Sequence, residues 1–328
     1  MPNPQDHIFS IRSKEKFLAL ALDTFRFQSG NNPVYSGFLD HLGVNPEQVT
    51  EISQIPFLPI EFFRTHRVVS SSSDPAIVFE SSGTSGQKTS RHCVVSEELY
   101  RESFTRAFTA AYDKPDEHCI LALLPSYLER GNASLVYMMD HLIRMSNHAQ
   151  SGFYLDDLEG LSNVLEQRIN DGHPTLLLGV SFALLDLAAA FPLPLSENII
   201  VMETGGMKGR RKEMIREELH TTLKKAFSMN TIHSEYGMTE LLSQAYSKGE
   251  GRFTSPPWMK VLTRDPYDPL TLLPPGRSGG INIIDLANTW SCSFIATGDT
   301  GRVFSDGSFE ITGRFDQAEV RGCNLMVL

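Results

Sequence analysis

The sequence predicts an α/β fold: layered, mostly parallel sheets flanked by helices, with a smaller β-rich lobe beside them. Three observations carry that expectation. Strand-like and helix-like segments alternate from about residue 76 to residue 235, the pattern of helices covering a mostly parallel sheet. Beyond residue 250 the texture changes to Pro, Gly and β-branched residues, as in "GGINIIDL" and "SFEITGR". That reads as a β-rich lobe, with a distorted barrel as one form it could take. The 328 residues, 41% hydrophobic and 21% charged, are ordinary globular composition with ample material for a core.

Each element follows from local pattern. Residues 14–28 carry apolar side chains at near-helical spacing, and "SGNNP" ends them. A second short helix is expected near 34–42, and the Pro-punctuated, aromatic stretch 54–70 reads as a packed loop. "AIVFE" at 76–80 is strand-like. Ser96 followed by Glu97 and Glu98 is an N-cap with an acidic first turn, opening a helix to about Tyr112. A buried strand at 119–127 and a helix near 132–146 follow. Then come a strand at 175–180, a helix at 182–191, a strand at 198–204 and an amphipathic helix at 208–227. We divide the chain into an α/β core with a helical N-terminal segment, residues 1–250, and a β-rich lobe of the same core, residues 251–328.

Several function classes are disfavoured. Net charge is −10 and no Lys/Arg block stands out, so no nucleic-acid partner is expected. No run approaches the roughly 20 apolar residues of a membrane span, and the N-terminus lacks the apolar segment of a signal peptide. The four cysteines, Cys93, Cys119, Cys292 and Cys323, are scattered without a CxxC. Reduced thiols in a cytoplasmic protein are the simplest reading, with the first three in strand-like segments.

Four loops are expected at the carboxyl ends of parallel strands, where α/β ligands gather: 81–91, 125–134, 203–210 and 234–240. The first, within "FESSGTSGQKTSR", sets Gly83 and Gly86 among Ser81, Ser82, Thr84 and Ser85, with Lys88 and Arg91 beyond. Little bulk, many hydroxyls and a cationic exit suit close approach to a polyanion; the alternative is a flexible serine-rich surface loop. The ordinary P-loop pattern is not met, because Gly83 and Gly86 are too close together. In "SEYGMTE", residues 234–240, an aromatic beside glycine precedes Thr239 and Glu240. Ring, hydroxyl and carboxylate suit a base, a phosphate and a divalent cation, against the alternative of a turn with an exposed acid. "FIATGDTGRV" places Asp299 on an expected tight turn, where its carboxylate could accept from a ribose diol or cap its own backbone. "EITGRFDQAEVRGCNL" adds Arg314, Asp316, Arg321 and Cys323.

In this order the motifs resemble the adenylate-forming, acyl-CoA synthetase-like superfamily, over roughly residues 76–325. The serine-glycine loop looks like its phosphate loop, "YGMTE" like its Tyr-Gly-x-Thr-Glu motif, and "TGD" like its ribose-binding aspartate. "METGGMKGRR" resembles the adenine-side glycine segment, and "GRFD" with "RGCNL" the segment that closes the large domain. Within the superfamily the likeness is closest to LuxE-type acyl-protein synthetases and the phenylacetate-CoA ligase branch. The resemblance implies the large N-terminal domain of these enzymes, ATP and Mg²⁺ as cofactors, and activation of a fatty or aromatic carboxylic acid to an acyl-adenylate. By that likeness Ser82, Gly83, Thr84, Ser85, Gly86 and Lys88 would embrace the β/γ-phosphates. Tyr236 and Gly237, with Gly205 and Gly206, would flank the adenine. Thr239 would touch the α-phosphate, Glu240 would hold Mg²⁺, and Asp299 and Arg314 would bind the ribose.

Two departures stand out. "GQKTSR" lacks the proline that usually follows the second glycine, which shifts Lys88 by one position. The sequence stops at residue 328, so the mobile C-terminal lid of full acyl-CoA synthetases is expected to be absent. LuxE-type proteins carry an acyl-accepting cysteine close to that end, and Cys323 stands there after Arg321 and Gly322. A thiolate beside arginines would attack a mixed anhydride; the alternative is a small buried hydrophobe in a last strand. The expected function is therefore an acid–thiol ligase that passes its acyl group to Cys323 and then to an acceptor protein. Direct delivery to CoA, or a non-catalytic nucleotide- or acyl-binding homologue, are the rivals. His233 is a candidate for the pocket lining. Arg130 and Ser134 are candidates near the substrate carboxylate, and residues 179–191 are an acyl-pocket wall or, more simply, a core helix.

Overall fold

The computed structural model describes residues 4–81, 89–124, 132–205 and 214–315. Helix α1 (Lys14–Asn31) opens at Ser13, whose Oγ accepts from the Lys16 amide, and runs three residues beyond 28. Asn32 sits between helices: its amide returns to the Gln28 carbonyl, while its side chain caps α2 (Pro33–His41) by accepting from the Val34 and Tyr35 amides. The stretch expected as packed loop contains strand β1 (Leu58–Pro59) and the short helix α3 (Phe62–Thr65). Next come β2 (Ile77–Glu80), β3 (Arg91–Val94) and α4 (Glu97–Tyr112), the last capped by Ser96 as expected.

The α/β region continues with β4 (Cys119–Leu123), α5 (Ser134–Ser146), β5 (Gly152–Phe153) and α6 (Leu158–Asp171). It is completed by β6 (Thr175–Val180), α7 (Ser181–Ala190), β7 (Ile199–Thr204), α8 (Arg216–Phe227) and β8 (His233–Tyr236). Helix α6 was not anticipated, although Asp157 caps its start and left-handed Gly172 its end. Helix α8 begins at Arg216 rather than at 208; of the expected first turns, 208–213 lie outside the described residues and Ile215 is extended. The remaining strands are β9 (Ala245–Ser247), β10 (Phe253–Thr254), β11 (Met259–Arg264), β12 (Ser278–Asp285), β13 (Phe294–Val303) and β14 (Phe309–Arg314).

Among the described residues one large sheet runs in the order β11-β12-β13-β14-β10-β9-β8-β7-β6-β4-β5, with β1 parallel to β13. From β5 to β8 every pairing is parallel. Strands β4 and β6 are buried along their whole length, as strands covered by helices on both faces must be. From β8 to β11 every pairing is antiparallel, so the antiparallel half of the sheet begins before residue 251. The path ends at β11 and β5, so it is an open sheet and not a closed barrel. The expectation for "AIVFE" needs correcting: among the described residues β2 lies outside this sheet and pairs with β3 alone, antiparallel. An isolated apolar run does not reveal its partner, so the serine-glycine loop joins a hairpin and does not follow a parallel strand.

The N-terminal helices are fastened to β13 and the segment before it. Phe25, Tyr35 and Phe57 surround Phe294 of β13 with ring centroids about 6 Å apart. Fully buried Gln28 donates to the carbonyls of Asn288 and Thr289, and its own carbonyl accepts from the Ser293 amide. This fixes the segment 288–293, on which part of the site rests.

Candidate active site

Strands β7 and β8 are parallel neighbours with Thr204 opposite Glu235, so their carboxyl ends bring Gly205 beside the "YGMTE" segment. Gly205 has φ +69, a left-handed conformation that favours glycine, and its carbonyl accepts from Ser181 Oγ at 2.8 Å. The Thr204 hydroxyl donates to the Glu235 carboxylate. That carboxylate also explains Gly237: a Cβ there would lie 2.5 Å from Glu235 Oε1. Burial pushes the Glu235 carboxyl up to about 7, against the pull of the Thr204 hydrogen bond and with help from the Glu203 charge. Burial would raise Glu203 too, but the His220 hydrogen bond and the Arg216 charge hold it below the usual range.

Tyr236, Asp299 and Arg314 form one cluster. The Tyr236 hydroxyl donates to Asp299 Oδ2 at 2.8 Å, and Arg314 Nε donates to Asp299 Oδ1 at 2.9 Å. Burial and then the Asp299 charge push the Tyr236 hydroxyl well above its ordinary value, so it stays a donor. The Tyr236 ring packs against Phe253 and Phe309. The expected turn at Asp299 is corrected: the residue lies inside β13, opposite Arg314 on β14, just before a register shift between Thr300 and Gly301. Of the two glycines of "TGDTG", Gly301 serves the close strand approach at this bulge, where a Cβ would lie 2.1 Å from the Glu310 carbonyl oxygen, whereas Gly298 faces open space. Beneath Asp299, buried Arg264 donates to the carbonyls of Ile281 and Thr297 and to Asn282 Oδ1. Burial lowers its guanidinium to about 10, with the charges of Glu61 and Asp299 opposing.

Thr239 and Glu240 occupy the turn after β8. Glu240 is 5% exposed, which overturns the alternative of an exposed turn acid. Both peptide carbonyls are held from below. His92 Nδ1 lies 2.8 Å from the Thr239 oxygen, and Asn288 Nδ2 donates to the Glu240 oxygen at 2.8 Å. The next residues are fixed by fully buried Asp285, which accepts from the Leu242 and Ser243 amides and from the Ser243 hydroxyl. Burial raises that carboxyl to about 6, against these hydrogen bonds.

Ser82, Gly83, Thr84, Ser85, Gly86 and Lys88, with Gly206, Arg130, Asp316, Arg321 and Cys323, lie outside the described residues. The stem of the serine-glycine loop is described: the Ser81 amide donates to the Ser90 carbonyl, and the Ser90 amide to Ser81 Oγ. His233 sits at the amino end of β8, with its Nδ1 3.0 Å from the Tyr112 hydroxyl. Residues 181–190 are the mostly buried helix α7. Cys93, Cys119 and Cys292 are buried thiols; Cys93 and Cys119 are in strands, while Cys292 precedes β13. Burial raises the Cys119 thiol, and that of Cys292 to about 12. Among the described residues no three of His, Cys, Asp or Glu gather to hold a metal by themselves. None of their helices is long and apolar enough to cross a membrane. Sequence reasoning missed His92, Glu235, Arg264, Asp285 and Asn288; only Glu235, inside the motif itself, carried a local signal.

The fold is that of the adenylate-forming ligases. ATP-bound MatB from Rhodopseudomonas palustris superposes with a TM-score of 0.55 at 16% identity, over 75% of this chain and 49% of that one. An open conformation of 2-hydroxyisobutyryl-CoA ligase, in complex with 2-HIB-AMP and CoA, gives 0.70 at 13% identity, over 94% of this chain and 72% of that one. The same ligase in its thioesterification state gives 0.70 at 15%, over 98% and 75%. The chain thus spans about half the length of the MatB structure and of the two RpMatB-BxBclM chimeras it matches. No curated protein matches the sequence. The acyl-protein synthetase family LuxE matches residues 5–328, and the chain belongs to that family.

Proposed function

We propose that the protein activates a fatty or aromatic carboxylic acid with ATP, forming an acyl-adenylate and pyrophosphate, and passes the acyl group to Cys323 and then to an acceptor protein in the cytoplasm. The observation that carries this reading is the Tyr236–Asp299–Arg314 cluster, in which three separate motifs of a LuxE-family chain meet on one carboxylate. A carboxylate has about four acceptor directions; Tyr236 and Arg314 take one on each oxygen, which leaves capacity for a ribose diol. Gly205, Gly206 and Gly237 give the adenine its approach beside Tyr236. Ser82, Gly83, Thr84, Ser85, Gly86 and Lys88 take the terminal phosphates, and Thr239 the α-phosphate. Glu240 offers a single carboxylate for Mg²⁺, a donor set that suits this ion when substrate phosphates supply the other oxygens. The bound ion would offset charge on the phosphate oxygens.

In the first half-reaction a carboxylate oxygen of the acid bonds to the α-phosphorus and pyrophosphate leaves. In the second the Cys323 thiolate bonds to the acyl carbon and AMP leaves, giving a thioester. Burial raises the thiols of Cys119 and Cys292, so neither matches the nucleophile this step needs. Residues 1–250 serve as the adenylation core and 251–328 as its β-rich lobe. The test is ATP–pyrophosphate exchange across octanoate, hexadecanoate, benzoate and phenylacetate, in wild type and Glu240→Gln. Wild-type exchange with at least one acid, lost by orders of magnitude in a folded Glu240→Gln, is expected. Equal exchange in both refutes the assignment. Acyl-CoA formed without any acylated cysteine would favour direct delivery to CoA, the ligand held by the similar 2-hydroxyisobutyryl-CoA ligase.

A further inference from the structure

Residue His92 is fully buried on β3, and Asn288 is 1% exposed in the segment before β13. They touch each other, with His92 Nε2 2.9 Å from Asn288 Oδ1. Each also touches one peptide of the "YGMTE" turn, at the Thr239 and Glu240 carbonyls. The orientation of the amide is forced. Its nitrogen donates to two carbonyls, Glu240 and Cys292, so its oxygen must face the imidazole. The Thr239 carbonyl is likewise only an acceptor, so the imidazole faces an acceptor at each nitrogen: a neutral ring donates to one of the two, and the protonated ring to both. The Phe63 ring stands edge-on to the imidazole, with centroids 5.8 Å apart.

β3 is also the exit strand of the serine-glycine loop. His92 pairs with Phe79 in the hairpin, one residue from the Glu80–Arg91 pair and two from the Ser81–Ser90 bonds that close the loop's stem. An apolar filler could occupy this space; a polar pair lies there instead, and it grips two successive carbonyls. We propose that His92 and Asn288 are positioning residues that lock the Thr239–Glu240 peptides to the Ser81–Ser90 stem of the serine-glycine loop, so that the turn carrying the metal-binding acid is held in register with that stem. This rests on the proposed roles of Thr239, Glu240 and the loop. It removes reorganisation between groups that must act together on one triphosphate.

Two readouts test it. The first needs no turnover. In His92→Phe, which keeps the ring and loses both polar contacts, amide hydrogen exchange across residues 237–243 should accelerate at least about tenfold, while that of α6 stays unchanged. Unchanged exchange in 237–243 overturns the proposal. The second is ATP–pyrophosphate exchange with the acid most active in wild type. His92→Phe should lose on the order of tenfold to hundredfold in rate at saturating ATP with KM for ATP within about threefold. His92→Asn, which restores a donor near Nδ1, should recover part of it, and the His92→Phe/Asn288→Ala pair should be no worse than either alone. If His92→Phe does not fold, Asn288→Asp, which fills the same space and removes the donor to Glu240, takes its place. A wild-type rate per folded molecule in either overturns the proposal. Glu240→Gln runs alongside: if it too keeps full activity, the activity assignment has failed, whereas its loss with an unaffected His92→Phe sinks the positioning role alone.

Discussion

Replacing Glu235 by Gln should make the protein more stable at alkaline pH and leave it little changed at acid pH. The carboxyl is buried beside Thr204 and over Gly237, and its folded value lies near 7 against an ordinary 4.5, because burial disfavours the charge and Glu203 repels it. The folded chain therefore keeps a proton that the unfolded chain releases between pH 4.5 and about 7. The stabilisation tied to that proton is fully present below the unfolded value and is lost as pH rises through the folded one. The interval corresponds to about 3 kcal/mol at most. Glutamine keeps an oxygen to accept from the Thr204 hydroxyl and carries no charge, so the variant escapes this loss. Urea midpoints at pH 5, 7 and 9 measure it. At pH 5 the two proteins should agree within about 1 kcal/mol, the usual size of a neutral hydrogen-bond change. At pH 9 the variant should lead by up to about 3 kcal/mol. Parallel curves, or a wild type that gains on the variant with rising pH, would refute the reasoning, because they would mean that the carboxylate is solvated or paired in the folded chain.

Two further predictions bear on the proposed chemistry. Asp299→Ala should weaken MgATP binding by about 1.5–3 kcal/mol, the worth of charge-assisted hydrogen bonds, with acid binding less affected; calorimetric affinity for ATP within about twofold of wild type would contradict the ribose role. Cys323→Ser should still exchange pyrophosphate with ATP yet retain no covalent acyl label, since serine is far less ionised near neutral pH; label that stays on the variant through a hydroxylamine-sensitive bond would place the acceptor elsewhere.

The parts of the molecule that were legible in its sequence share a physical trait: the signal is local. The Ser96 cap and the continuous apolar runs of β4, β6 and β7 each depend on neighbours a few positions away. Strand partnership is not local: β2 has the composition of a core strand but, among the described residues, pairs with β3 alone in a small hairpin. Asp299 misled for a related reason. "TGDTG" carries turn chemistry, yet its Gly301 lets β12, β13 and β14 pass closely, and a bulge replaces the turn.

The same division runs through the candidate site. Residues proposed to touch the nucleotide fall in short stretches, because one ligand needs several groups from one loop. The residues that hold those stretches are scattered: His92 reaches a peptide 147 positions away and Asn288 one 48 positions away. What they grip is a backbone carbonyl, which every residue possesses. A side chain that pairs with another side chain constrains both identities, whereas one that holds a carbonyl leaves no complementary mark at the far end. His92 therefore reads, in "SRHCVV", as one polar residue in a strand. Only its burial between two acceptors, at the stem of one loop and under the turn of another, shows what it does. Support of this kind is found from the structure by asking which buried polar groups are spent on the backbone of a motif.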